Sequence, residues 1–269
     1  MGHWKEIMLR GAVIPLQQMA MFREQLANLR GSSSNDERMR HELVRFGLML
    51  HENGFVAATD GNLSVRLEDG NIMITPTGFS KGMMQAEDMV LIDPSGRKVQ
   101  GNYNASSETE MHLAIYHDRP DVRAVVHAHP CTATAFACNG MALEEPICAE
   151  VVMTLGKVPL APYATTGTPE LSRSIRPFIQ HHQAILLANH GVVTYGEDLM
   201  SAYLKMEAVE HFAKVTLAAR QLGAPQLLNA IQIEALEKAR RRYMDRRPLK
   251  FRRPGMPLEN LLSQIVRRN

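Results

Sequence analysis

The sequence predicts a single layered α/β domain, and three observations carry that expectation. Strand-like and helix-like segments interleave along one block instead of separating into two halves, which favours one layered body over two domains. Two of the strands flank a tight turn, so part of the sheet pairs locally and antiparallel. The chain has 269 residues, 45% of them apolar and 22% charged, enough to bury a sizeable core and unlike a disordered chain or a coiled coil.

The elements follow in order. Pro15 to Leu29 is amphipathic, and the polar run Gly31-Ser32-Ser33-Ser34-Asn35-Asp36 reads as a linker into a helix cap, so residues 1–35 form an appendage. Met39, Leu43, Phe46 and Leu50 recur at helical spacing, and Asn53-Gly54 stops that helix. Leu63, Val65 and Leu67 alternate with polar residues, Asp69-Gly70 turns the chain, and Ile72-Met73-Ile74-Thr75 returns as the partner strand. A third strand spans Met89 to Ile92 and ends at the turn Asp93-Pro94-Ser95-Gly96. The next helix opens at Ser107, with Glu110 three residues on as a capping box and Glu108 in its first turn, and it stops before Pro120. Ala124–Ala128 and Ala184–Ala188 are short apolar strands. A long helix from Glu197 to Leu222 carries Ala202, Met206, Val209 and Ala213 on one face, and the last helix spans Ile231 to Tyr243.

Charge is unevenly placed. From Lys238 to Asn269 eleven Lys and Arg stand against Asp245 and Glu259, a net +9, which leaves an acidic −7 for residues 1–237 within the total of +2. The aromatics of this basic tail are Tyr243 and Phe251, without a stacking pattern, so nucleic acid is not the expected partner and packing across a neighbouring subunit's acidic face is. No apolar run of about 18 residues exists, so no membrane span is expected. Met1 to Arg10 carries Lys5, Glu6 and Arg10, unlike a secretory signal, and the three cysteines include no CxxC pair. A cytoplasmic protein with buried or inert thiols fits these features.

The chemistry concentrates in a few places. His127-Ala128-His129 ends an apolar strand, where residues i and i+2 point to one side and two imidazoles can share a divalent cation. His190 ends another such strand, followed by Gly191, and three histidines with an open fourth position form a catalytic zinc set rather than a closed structural one. The remaining histidines, His181, His182 and His211 among them, read as surface residues. Glu108 is either a capping carboxylate or an acid/base group beside that ion. Gly61-Asn62, Thr77-Gly78 and Ser106-Ser107 are three polar turns which together could bind an anion.

These motifs, with Thr59 to Arg66, Ile74 to Gly78, Ser106-Ser107-Glu108, Arg119-Pro120-Asp121, Ala161 to Thr168 and Asn189-His190-Gly191 in that order, resemble the class II aldolase/adducin family over about residues 38–245. The fuculose-phosphate aldolase branch is the most similar. The resemblance implies a mostly antiparallel central sheet flanked by helices in a domain at 36–245, with a basic tail at 246–269 and a homotetramer whose active sites lie at subunit contacts. It implies His127, His129 and His190 as ligands of zinc, or of manganese or cobalt, and Glu108 as the acid/base carboxylate. It implies Gly61, Asn62, Thr77, Gly78, Ser106 and Ser107 as the phosphate cradle of a sugar-phosphate substrate. Tyr243 corresponds to a family proton donor or else packs on the core. Glu150 stands where aldolases of that branch carry a Tyr, which implies a different aldehyde pocket. The expected reaction is reversible cleavage of a ketose 1-phosphate to dihydroxyacetone phosphate and an aldehyde. A same-family dehydratase, epimerase or decarboxylase, or a non-catalytic adducin-like interaction domain, remains the alternative.

Overall fold

The structure, a computed structural model, describes residues 35–246, with side chains through residue 240. The amphipathic Pro15–Leu29 segment, the linker up to residue 34 and the basic tail from residue 247 lie outside the described residues. The described elements are α1 (Asn35–Glu52), β1 (Asn62–Arg66), β2 (Ile72–Ile74), β3 (Val90–Ile92), β4 (Lys98–Gln100), α2 (Thr109–Asp118), β5 (Ala124–Ala128), α3 (Cys131–Cys138), α4 (Ala149–Thr154), β6 (Leu160–Ala161), α5 (Pro169–Ile179), β7 (Ala184–Leu187), β8 (Gly191–Gly196), α6 (Leu199–Leu222) and α7 (Ala230–Arg246).

The strands form one sheet in the order β4-β3-β2-β1-β5-β8-β7-β6. Every neighbouring pair is antiparallel except β6 with β7, so the sheet is mixed but mostly antiparallel, as the resemblance implies. The hairpin expected around Asp69-Gly70 is present, with Ser64 opposite Ile74 and Arg66 opposite Ile72.

Helices cover both faces. On one, Leu43, Phe46 and Leu50 of α1, Phe136 of α3 and Met206, Val209 and Phe212 of α6 pack over Leu63, Val65, Val126 and Val192. On the other, Met111, Ile115 and Tyr116 of α2 and Leu171, Ile175 and Ile179 of α5 pack over Ile72, Ile74, Val125 and Val193. Two-sided burial explains why β5 reads AVVHA rather than alternating, since every one of its residues is buried. Truncating a side chain such as Phe46, 1% exposed, to alanine costs about 3–5 kcal/mol in a core of this kind.

Several boundaries differ from the sequence expectation. The third strand begins at Val90, because a 3-10 turn at Ala86–Asp88 leads into Met89. Ser64, placed by alternation on a polar face, is fully buried, because α2 covers that side of β1. The elements α3, α4, α5, β4, β6 and β8 were not anticipated: α3, α4, β4 and β6 are short, β8 is buried throughout and does not alternate, and α5 was missed although Leu171, Ile175 and Ile179 recur at helical spacing behind a Pro at its start. Cys131 and Cys138 are exposed at the two ends of the short helix α3 and Cys148 is half-buried, all three free, so of the expected buried or inert thiols none is fully buried.

Candidate active site

The sheet delivers the three imidazoles. His127 sits at the end of β5, in register with Asn62 of β1 and Val193 of β8, and His129 follows just past the strand. His190 lies in the turn joining β7 to β8, where Asn189 takes a left-handed φ of 57° and the His190 N–H donates to the Leu187 carbonyl at 3.0 Å. Gly191 allows that turn to close, since a Cβ there would stand 2.4 Å from His129 Cδ2 and 2.7 Å from the Ala128 carbonyl oxygen. Ring centroids of His127 and His190 are 4.7 Å apart, and one nitrogen from each of the three rings falls within 4.8 Å of the others.

The tautomers follow from the partners. His127 Nδ1 lies 2.9 Å from the Val192 carbonyl, which can only accept, so Nδ1 carries a proton and Nε2 is the nitrogen that faces the cluster. His129 Nδ1 faces Asp60 Oδ2 at 3.3 Å, which leaves Nε2 of that neutral ring with its lone pair. The two Nε2 atoms are 3.0 Å apart. Burial, then the charge of His127, pushes His129 down to about 4, and the same causes push His190 down to about 3, so both rings are neutral in the form that ligates.

Glu108 closes the cluster. It caps α2 instead of sitting in its first turn, and the hydroxyl at that cap belongs to Ser106, whose Oγ accepts from the Glu108 N–H at 3.2 Å, rather than to Ser107. The helix thus starts one residue later than expected, and its opening aims the carboxylate inward. Glu108 Oε2 lies 3.1 Å from His127 Nε2 and accepts from the Asn62 amide at 2.8 Å, while Oε1 is 3.2 Å from His190 Nε2. Burial works to raise the Glu108 pKa, but His127 and His190 outweigh it and hold the carboxyl well below the usual carboxylate range. Burial opposes charge on His127, and Glu108 outweighs it there too, shifting that ring upward.

These residues fit a divalent cation. Two imidazole Nε2 atoms face each other across 3.0 Å, and Glu108 Oε1 and His190 Nδ1 are buried without a hydrogen-bond partner among the described residues. A borderline-soft ion held by imidazoles satisfies such a donor set.

One residue class was misplaced from sequence. His112 is not a surface histidine: it is fully buried on α2, with Nε2 2.5 Å from Asn62 Oδ1 and Nδ1 2.7 Å from Ser64 Oγ. Ser64 Oγ in turn lies 2.8 Å from the Tyr116 hydroxyl. Burial pushes His112 down to about 3 and Tyr116 upward. The signal was available as spacing, since Glu108, His112 and Tyr116 recur at i, i+4 and i+8 on one helix face. His181 and His211 are exposed and His182 half-buried, as expected.

The polar turns meet beside this cluster. Pro76 bridges to Ala105, the Thr77 N–H donates to Asn104 at 3.1 Å, and the Ser106 N–H donates to Thr75 at 3.2 Å, which sets Thr77-Gly78 against Ser106-Ser107. Thr75 also accepts from the Leu63 N–H through Oγ1 at 3.2 Å, which adds Gly61-Asn62. Gly61, at φ 72°, packs so closely that a Cβ would meet the His127 carbonyl oxygen at 2.8 Å. Thr77, Gly78 and Ser107 are exposed and open to a ligand, whereas the Asn62 side chain is committed to Glu108 and His112. Lys81, 1% exposed, ties two of these loops by donating to Thr59 at 3.0 Å and to Phe79, and burial lowers its pKa to about 8 against the opposing pull of Asp60. Glu150 is exposed on α4. Tyr243 falls within helix α7, its side chain outside the described residues.

Comparison with known proteins places the chain in a family. The model of the class II aldolase and adducin N-terminal domain matches residues 41–217. The 3-oxo-tetronate 4-phosphate decarboxylase of Pectobacterium atrosepticum is 36% identical over 188 residues, 68% of this chain and 86% of that protein. The 5-deoxy-D-ribulose 1-phosphate aldolase of Bacillus thuringiensis is 31% identical over 204 residues, 75% of this chain and 95% of its own. A solved L-fuculose 1-phosphate aldolase superposes with a TM-score of 0.71 at 33% identity, covering 77% of this chain and 97% of that one. With that match spanning the sheet, the histidine cluster and the carboxylate that faces it, the chain belongs to the class II aldolase and adducin family.

Proposed function

We propose that this protein is a metal-dependent aldolase that reversibly cleaves a ketose 1-phosphate, of the fuculose-phosphate or 5-deoxyribulose-phosphate kind, to dihydroxyacetone phosphate and an aldehyde. The observation that carries the proposal is Glu108, its two oxygens 3.1 and 3.2 Å from two of three converging imidazoles. His127, His129 and His190 would hold zinc, or manganese or cobalt in its place, and the ion supplies Lewis-acid stabilisation of the negative charge that develops as the bond breaks. Glu108, through Oε1, gives a proton to the carbon beside the carbonyl after cleavage and takes it away in the synthetic direction. Gly61, Asn62, Thr77, Gly78, Ser106 and Ser107 hold the substrate phosphate through amides and hydroxyls, fixing which carbon faces Glu108. Tyr243 moves the proton of the hydroxyl on the aldehyde side. The assembly is a homotetramer in the cytoplasm. In support of an assembly, Leu222 at the end of α6 is 91% exposed and Ile231 in the first turn of α7 is 80% exposed.

A decarboxylase is the second reading, favoured by the 36% identity to a 3-oxo-tetronate 4-phosphate decarboxylase. It uses the same step, because loss of carbon dioxide also leaves a carbon beside a carbonyl for Glu108 to protonate. Incubation with dihydroxyacetone phosphate and short aldehydes, beside incubation with 3-oxo-tetronate 4-phosphate, separates the two. A new carbon–carbon bond is the expected result. Carbon dioxide release without any aldol product replaces the aldolase by the decarboxylase, and inertness of the metal-loaded protein towards both leaves a same-family dehydratase or epimerase, or the adducin-like interaction domain.

A further inference from the structure

We propose that His112 is a positioning residue for Glu108: it fixes the side-chain amide of Asn62 so that the N–H edge faces the carboxylate, tying down Oε2 and leaving Oε1 as the reactive oxygen. The inference rests on the acid/base role given to Glu108 above, and it follows from a chain of contacts whose directions can all be assigned. An ionised carboxylate only accepts, so the Asn62 group 2.8 Å from Glu108 Oε2 is the NH2, and Oδ1 faces His112. The His112 nitrogen 2.5 Å from that oxygen must therefore be Nε2–H. The ring is fully buried and neutral at physiological pH, so it has one proton, and Nδ1 accepts from Ser64 Oγ at 2.7 Å. Ser64 has a single hydroxyl proton, now spent, so at 2.8 Å it accepts from the Tyr116 hydroxyl.

Four donors thus run in one direction, Tyr116 to Ser64 to His112 to Asn62 to Glu108, each polarising the next. An amide cannot pass a proton through itself, so the row acts as an oriented line of dipoles and not as a proton wire. Its members come from two rigid elements: Glu108, His112 and Tyr116 from the cap and one face of α2, Asn62 and Ser64 from one face of β1. Oε1 stands outside the row, without a hydrogen-bond partner among the described residues, and lies 3.2 Å from His190 Nε2. With the His112 proton on the other nitrogen, Asn62 would present its oxygen to the carboxylate and repel it.

The test reads the tautomer directly. Two-bond nitrogen–carbon NMR correlations of the histidine rings in the zinc-loaded wild type at pH 7, without substrate, should show His112 as the neutral Nε2–H form. A neutral Nδ1–H form overturns the proposal. Because no turnover is involved, this result stands apart from the aldolase reading, whose own failure is a wild type that makes no carbon–carbon bond. In kinetics, His112→Leu should lower kcat about 10- to 100-fold, the effect of losing one oriented hydrogen bond to a charged group, with KM for the ketose phosphate within about threefold. His112→Gln, which keeps a donor for Asn62, should recover at least about tenfold of the loss in kcat. Equal kcat in the Leu and Gln variants at matched zinc content and melting temperature overturns the positioning role.

Discussion

Glu210 offers the sharpest quantitative test of how the site is braced. It lies on α6, 2% exposed, and its carboxylate accepts from the backbone N–H groups of Thr132 at 3.1 Å and Ala133 at 2.9 Å. These belong to the first turn of α3, where a helix cannot satisfy its own donors. The residue at that cap is Pro130, whose side chain accepts nothing, so a neighbouring helix provides the acceptor instead. Lys214 approaches Glu210 Oε1 at 3.4 Å, but its side chain is 60% exposed and the pair contributes little. Glu210→Ala removes both charge-assisted bonds and strands two amides. At about 1.5–3 kcal/mol for each bond to a charged group, discounted for water entering the gap, the loss is about 3–4 kcal/mol. That is a large share of the about 5–15 kcal/mol that holds a domain folded. Glu210→Gln keeps one acceptor oxygen and should lose about half as much. Urea denaturation of the metal-loaded protein measures this, as a shift in midpoint at unchanged slope. An alanine variant within about 0.5 kcal/mol of the wild type would refute the capping argument. Since α3 begins two residues after His129, weaker metal retention in the alanine variant should accompany the loss.

Other outcomes follow from the same contacts. Glu108→Ala should retain its metal and lose about two to four orders of magnitude in turnover, measured by aldol formation beside elemental analysis, because the rings are placed by the sheet and not by the carboxylate. Gly191→Ala puts a methyl 2.7 Å from the Ala128 carbonyl oxygen and 2.4 Å from His129 Cδ2, so the strand end must part; metal content should fall, with about 1–3 kcal/mol lost by thermal denaturation. Burial holds the folded Lys81 pKa at about 8 against the ordinary lysine value of 10.5, so between those pH values the unfolded chain keeps a proton that the folded chain has released. The contribution of Lys81 is therefore least favourable below pH 8 and improves as pH rises towards 10.5, by at most about 3 kcal/mol. Denaturation at pH 7.5 and pH 10 should show this gain in the wild type relative to Lys81→Met; parallel behaviour of the two proteins would rule out the shift.

The layered fold was legible because its main signals are local. The Asp69-Gly70 hairpin, the helical spacing of Met39 to Leu50 and the face of α6 from Ala202 to Ala213 each declare themselves within a dozen residues. Strand alternation gave the His127–His129 pair, the place of His190 at another strand end added the third ring, and the resemblance gave Glu108 its acid/base role beside them. What escaped depends on packing against distant chain. Ser64 and His112 are polar side chains whose burial requires α2 to lie on β1; the spacing of Glu108, His112 and Tyr116 put His112 on the face of Glu108, but nothing along β1 showed that this face covers Ser64. The parallel pairing of β6 with β7 escaped for a similar reason: Leu160–Ala161 is two residues long and carries no periodicity of its own.

His127 stands on β5, in the middle of the eight-stranded sheet, with His129 just past the end of that strand and His190 in the tight turn joining β7 to β8, so the sheet and not a long loop places all three. Architecture and chemistry are consequently separable. A chelator should strip such a protein of its reactivity and leave a folded body behind, the reverse of a zinc finger, which melts when its ion is withdrawn. By the same logic, a descendant that exchanged four side chains at one rim would inherit an intact platform with nothing to catalyse, ready to be recruited for adhesion.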